Sequence, residues 1–382
     1  MYQFSKSVSK YAVVCFLLVF TVSMSGAAPK EVKKSFDVKK GGTLTLDLQT
    51  GASIEVTAWD KDVVEIIYHI GGRDADLVEV EIEQRSNGVE VYSSYSQKQN
   101  NVRTDEEIVA KVPANYNLDF NTMGGSVKLK GLDGKMEGTT MGGALNLSDL
   151  KGHLSLVTMG GGITLSDSKV DGKVKTMGGE VLVENVEGNV KASSMGGKVT
   201  QRNVRNSSAD GVGEEVNIST MGGDIDVDDA PNGASVKTMG GDIEVNKVQK
   251  FLSAETMGGE IKVRSADAKI KCKTMGGDIY VKFDGDGNAD DRDIKLTSMS
   301  GDVELLIPAD FSMDIEVKIK ADEDDVDDYD IINDFGLSSE IKDDDGWHGR
   351  DTKVIYAAKT VNGGKNKVRI HTVNGNVRIK KI

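Results

Sequence analysis

Between residues 122 and 308 branched aliphatic residues recur at every second position, as in Val127-Lys-Leu129, Ile163-Thr-Leu165, Val181-Leu-Val183 and Ile243-Glu-Val245. Strict alternation of this kind predicts strands with one buried face, and the 3–4 spacing of an amphipathic helix is not found. Upstream, the same alternation predicts strands at Thr43–Leu48, Ser53–Ala58, Val63–His69 and Leu77–Glu83, with Asn87-Gly88 as a hairpin turn. The fold class is all-β.

The strands belong to a repeat. Met123, Met141, Met159, Met177, Met195, Met221, Met239, Met257, Met275 and Met299 recur at steps of 18, interrupted by one step of 26 and one of 24. Nine of the ten are followed by Gly-Gly and all ten are preceded by Thr or Ser. Taking each Met as position zero, positions 4, 6 and 15 are aliphatic with few exceptions, Gln201 among them. Each unit therefore holds two strand segments and ends in a glycine corner, with a short third segment near position 9 (Leu132, Leu150, Val186, Val248).

One unit buries too few side chains to offset the entropy of ordering its backbone, so coils must share ladders with the coils on either side. The predicted architecture is a right-handed parallel β-helix of 18-residue coils with β-strand caps at both ends. Ten rungs at about 4.8 Å would form a rod core of roughly 45–50 Å. The organisation read from the chain is a secretory signal at 1–28, an N-terminal β region at 29–121 capping the solenoid and the β-helix at 122–308. An acidic, loop-rich segment at 309–351 and a C-terminal β cap at 352–382 follow.

At the corner, glycine is expected to supply positive φ and to let successive corners stack. The Thr is expected to bond its counterpart one rung away, and the Met to fill the space inside the corner. An outward thioether ladder able to hold a soft metal such as Cu(I) is the alternative. The two longer steps place insertions at Arg202–Gly213 and Phe283–Asp293. Within the second, Asp284, Asp286, Asn288 and Asp290 suggest a loose calcium turn. An EF-hand is excluded by Ala289 at its sixth position and Lys295 at its twelfth.

Composition narrows the function. The chain carries 47 Lys and Arg against 61 Asp and Glu, a formal charge of −14, which argues against a nucleic-acid partner. Residues 1–28 combine Lys6 and Lys10, an apolar run and Ser25-Gly26-Ala27, the pattern of a cleaved export signal. The run is shorter than the ~20 residues of a membrane span, so no transmembrane anchor is expected after cleavage. The expected location is periplasmic, cell-surface or extracellular. Only Cys15 and Cys272 occur, so neither a disulfide scaffold nor a cysteine zinc site is available.

Charges are sorted by position. Outward positions 3 and 5 carry nine acids, including Asp224, Asp226, Asp242 and Glu244, against three lysines. Positions 14 and 16 carry seven lysines, including Lys173, Lys175, Lys271 and Lys273, against two glutamates. A rod with an acidic and a basic side would suit lateral self-association or cation bridging to an anionic envelope polymer.

Gly51-Ala-Ser-Ile-Glu-Val56 with Trp59-Asp60, Val112-Pro113-Ala114, the Thr-Met-Gly-Gly units and the closing Thr372–Ile379 together resemble the bacterial putative-adhesin domain family. The resemblance spans about residues 35–382. It implies an exported β-helical domain at the envelope or cell surface, without a catalytic motif to transfer. A non-enzymatic adhesin or scaffold is the leading reading, with no cofactor and an unidentified envelope or extracellular polymer or protein as partner. An envelope-stress or signalling-associated binding domain is the alternative. A carbohydrate-active enzyme fits less well, because His69, His153, His348 and His371 are scattered and the acids form rows instead of facing pairs.

Overall fold

The computed structural model describes residues 29–97, 101–205, 215–344 and 352–382. The expected export signal, the tip of the first insertion and His348 lie outside the described residues.

The repeat region winds as stacked coils whose strands pair in parallel with the next coil. Leu145 lies beside Ile163 and Ile163 beside Val181. On the other side of the coil, Leu154 lies beside Gly172 and Val174 beside Ala192. Aliphatic residues of both strand stacks meet inside, where Leu145, Leu147, Leu150, Leu154 and Leu156 are all buried. In-register pairing keeps each column of like residues in line, with one shift between Val263↔Val281 and Ala266↔Phe283, because a one-residue slip along a whole strand would turn all of them outward. The third segment is present: Leu132, Leu150, Val186 and Val248 are buried.

The parallel ladders extend past the methionine repeat in both directions. Ser53–Trp59 pairs with Val127–Lys130 through Ile54↔Val127 and Val56↔Leu129. At the far end Val377–Lys381 pairs with Val303–Ile307 through Val303↔Val377 and Leu305↔Ile379.

Antiparallel strands adjoin these terminal ladders. Lys30–Asp37 and Asp105–Pro113 flank Val63–Gly71, and Val78–Arg85 forms a hairpin with Gly88–Tyr95. Near the C-terminus, Met313–Asp322 pairs antiparallel with Thr352–Val361 and parallel with Asn366–Val373.

The acidic stretch after residue 321 is more ordered than its composition suggests. Glu323–Asp328 forms a 3-10 turn, Ile331–Asn333 joins the final strand, and Glu340–Asp344 pairs with Thr352–Val361. Burial of Val326, Ile331, Phe335 and Leu337 holds the segment against its neighbours despite its charge.

Candidate functional site

The corner departs from the expected arrangement in three ways. The first concerns methionine. All ten repeat methionines face solvent, with exposures from 38% at Met195 to 55% at Met123. The Thr or Ser before each one is buried instead. Alternation continues through the corner, so the inward site belongs to Thr and the outward one to Met. Among the described residues only Ile332, Ile341 and Ile382 are other large apolar side chains of comparable exposure.

Second, the buried hydroxyl does not bond another hydroxyl. Thr158 Oγ1 donates to the carbonyl oxygen of Gly143 at 2.7 Å, and Thr176 Oγ1 donates to that of Gly161 at 2.7 Å. The same hydroxyl oxygen accepts from the second glycine of its own corner: Gly179 N–H donates to Thr176 Oγ1 at 3.2 Å. Ser194 and Ser298 take the same role. Backbone groups that the sharp bend would leave unpaired are thereby satisfied between coils.

Third, glycine is needed there for closeness, not for a left-handed backbone. Of the second glycines only Gly125 has positive φ, at 84°. A β-carbon on Gly143, Gly161, Gly179, Gly197, Gly223, Gly241, Gly259 or Gly277 would collide with the backbone of the corner one coil before. The first glycine is looser: a β-carbon on Gly240 would stand 3.5 Å from the nearest atom, the carbonyl oxygen of Gly222. Met299-Ser300-Gly301 follows the same rule, since serine replaces the tolerant glycine and Gly301 keeps the strict place.

The acidic row that leaves the corner has internal duties. Asp224 Oδ1 accepts the Asp242 amide at 2.9 Å, and Asp242 Oδ1 accepts the Glu260 amide at 2.8 Å. Asp278 continues the column to Asp302, and Asp302 to Asn376, each at 2.8 Å. Asp226 pairs with Lys198 at 3.6 Å, and Glu244 with Arg264. A second column, missed in the sequence, lies at position 8: Asn203 Nδ2 donates to Asn185 Oδ1 at 2.7 Å, and Asn185 Nδ2 donates to Asp167 Oδ1 at 3.1 Å. These residues hold positive φ of 48–54°, a conformation Asn and Asp tolerate better than most side chains. Recurrence of Asp or Asn at that position was the available signal.

On the basic side Lys173, Lys175 and Lys273 are exposed, while Lys271 pairs with Glu255 at 2.9 Å. That bond holds the Glu255 carboxyl below the usual range. Beyond this row lies a groove of about 410 Å³ with Phe251, Lys271, Lys295, Lys367 and Arg369 around it. Its walls combine aliphatic lysine stems with the Phe251 ring, and Arg369 is anchored on Asp314 at 2.7 Å.

The calcium candidates do not converge. Asp284 accepts from Ser265 Oγ at 2.9 Å, Asp286 accepts the Asn288 amide at 2.9 Å, and Asp290 pairs with Lys365 at 3.0 Å. Among the described residues no three His, Cys, Asp or Glu side chains form a group able to hold a metal ion. Instead of projecting freely, the insertion is fastened to Phe311 and Asn366 further along the chain. Asn366 Nδ2 donates to the carbonyls of Gly287 and Ala289, both at 3.2 Å, and Phe283 packs edge-on against Phe311 with centroids 4.9 Å apart.

A further polar cluster, also missed in the sequence, is buried among the N-terminal strands. Glu106 Oε2 accepts from Tyr68 Oη and Thr50 Oγ1, both at 2.6 Å. Burial and the neighbouring carboxylate both push the Tyr68 hydroxyl pKa upward. It ties three separate segments together.

Among the described residues no helix is long and apolar enough to cross a membrane. Comparison with curated proteins finds no match. Three solved structures are similar at low identity. A putative adhesin from Parabacteroides distasonis is 13% identical, with 65% of this chain and 94% of that one covered and a TM-score of 0.36. A putative adhesin from Bacteroides fragilis is 18% identical, covering 64% and 97% with a TM-score of 0.30. A putative lipid binding protein from Parabacteroides distasonis is 17% identical, covering 65% and 94% with a TM-score of 0.32. The sequence profile of one family matches residues 20–336, most of the chain, and on that evidence the protein belongs to the Toastrack DUF4097 family.

Proposed function

We propose that the protein is an exported, non-catalytic rod that binds an anionic polymer of the bacterial envelope through its lysine-rich face, as an adhesin or wall scaffold would. The groove between Phe251 and Arg369 carries this reading. Lys295 and Lys367 are exposed at its rim, and its walls are apolar. Such a surface offers Coulomb attraction to phosphate or carboxylate groups and apolar contact to the backbone that bears them. The acidic side, whose aspartates already bond the amides of neighbouring coils, would face away from that polymer. Export rests on the pattern of residues 1–28. We read the winding as right-handed with 18-residue coils, the hand that parallel strands joined by crossovers adopt almost without exception.

The test is co-sedimentation of the full chain with a purified anionic wall polymer and, separately, with a neutral polysaccharide. Binding to the anionic polymer alone, weakened by salt and by the pair Lys295→Glu and Lys367→Glu, is expected. Equal binding to the neutral polymer, or indifference to salt, would overturn the proposal.

A further inference from the structure

The methionine edge has a geometry of its own. Ten half-exposed thioether side chains stand in one column, with bare glycine corners beside them. The amide of Met239 bonds the carbonyl of Met221 at 3.2 Å, so successive corners are in direct contact along the column. On one side of this column, two residues before Met177, Met239 and Met275, stand Lys175, Lys237 and Lys273; on the other, three residues after the same methionines, stand Glu180, Asp242 and Asp278. All six are exposed. At three levels the corner therefore reads Lys-Thr-Met-Gly-Gly-acid across the edge.

We propose that this edge joins two copies of the chain side by side and parallel, with the two-fold axis running along the rods. Charge complementarity selects both partner and direction. When two such edges face each other in parallel, the symmetry places the lysine flank of one copy against the acidic flank of the other at these three levels. Turning one copy end over end would set lysine against lysine and acid against acid. Methionine suits the seam, since its flexible, polarizable side chain adapts to an identical neighbour. Ten such residues with their glycines supply on the order of the ~800 Å² per partner that a stable interface buries. The basic groove lies further round the rod, so pairing leaves it open to a polymer.

Sedimentation equilibrium of the full secreted chain at low salt should give a dimer. Lys175→Glu with Lys273→Glu should weaken association by roughly tenfold or more, because like charges would then meet across the seam. Direction is tested with Met141→Cys and Met275→Cys, made separately in the chain whose own Cys272 is buried. Under mild oxidation each should form a disulfide-linked dimer with its own copy, because parallel pairing opposes equal levels. Linking that requires the two variants to be mixed would overturn the parallel arrangement. A monomer at all concentrations, or a dimer unaffected by the lysine reversals, would overturn the interface. Neither result bears on polymer binding, which the groove variants report separately.

Discussion

Gly241 stacks directly on Gly223, so closely that a β-carbon on Gly241 would overlap the backbone of the coil before it. The same contact joins the second glycines of adjacent corners along the rod, and it fixes how near two coils can come at the bend. Gly241→Ala should therefore destabilise the fold by about 2–3 kcal/mol, the range of a forced overpacking. Gly240→Ala, whose β-carbon would find ordinary contact, should change stability by less than ~1 kcal/mol. Urea midpoints of the two variants would check the contrast.

Thr238 Oγ1 donates to the Gly223 carbonyl at 2.9 Å and accepts from the Gly241 amide at 3.3 Å. Thr238→Val keeps the shape but leaves both backbone groups unpaired. A loss of about 1–3 kcal/mol is expected. Thr238→Ser, the residue that already serves at Ser194 and Ser298, should cost less. Thermal unfolding of both variants would show the order.

Gln201 stands in a column of aliphatic residues between Val183 and Val227. Its Nε2 reaches the Val190 carbonyl at 3.3 Å, while its buried Oε1 has no hydrogen-bond partner. Gln201→Leu should raise stability by about 1–2 kcal/mol by removing that unpaired oxygen. A lower urea midpoint would show that the amide is worth more than its burial costs.

Cys272 is wholly buried between Ala254 and Leu296, and burial pushes its thiol pKa from 9.0 up to about 12. The native mature chain, which has lost Cys15 with the signal, should leave a thiol reagent unconsumed at pH 8 and react fully once denatured. The sign of the pH effect follows from linkage. Below pH 9 the thiol is protonated whether folded or not, and its contribution is fully present. Between about 9 and 12 the unfolded chain releases the proton and the folded chain holds it, so stability falls as pH rises. Cys272→Ala should reduce the fall in melting temperature above pH 9; Tyr68, shifted in the same direction, supplies a remaining part.

Much of this molecule was legible in its residues, and the corner shows where the reading went astray. Parity of two already assigned Leu156 and Thr158 to the inside, so Met159 had to face outward. Treating the bend as a break in the alternation hid this. The charged rows were visible from position alone. That Asp242 accepts an amide of the next coil was not, because the need for that bond arises only when one corner is laid on another. Clamping of the 284–293 loop by Asn366 was equally invisible, since its partners lie 77–79 residues away in the chain.

By itself, the sequence determined that this is an all-β chain of stacked units, because side-chain alternation and a repeating corner are local properties that each segment carries with it. Tertiary structure alone decided how closely the corners stack and which acids are already engaged. It also decided how the tail holds the second insertion. Those outcomes depend on contacts between coils, and such contacts exist only after the backbone has closed on itself and neighbouring rungs have come within bonding distance.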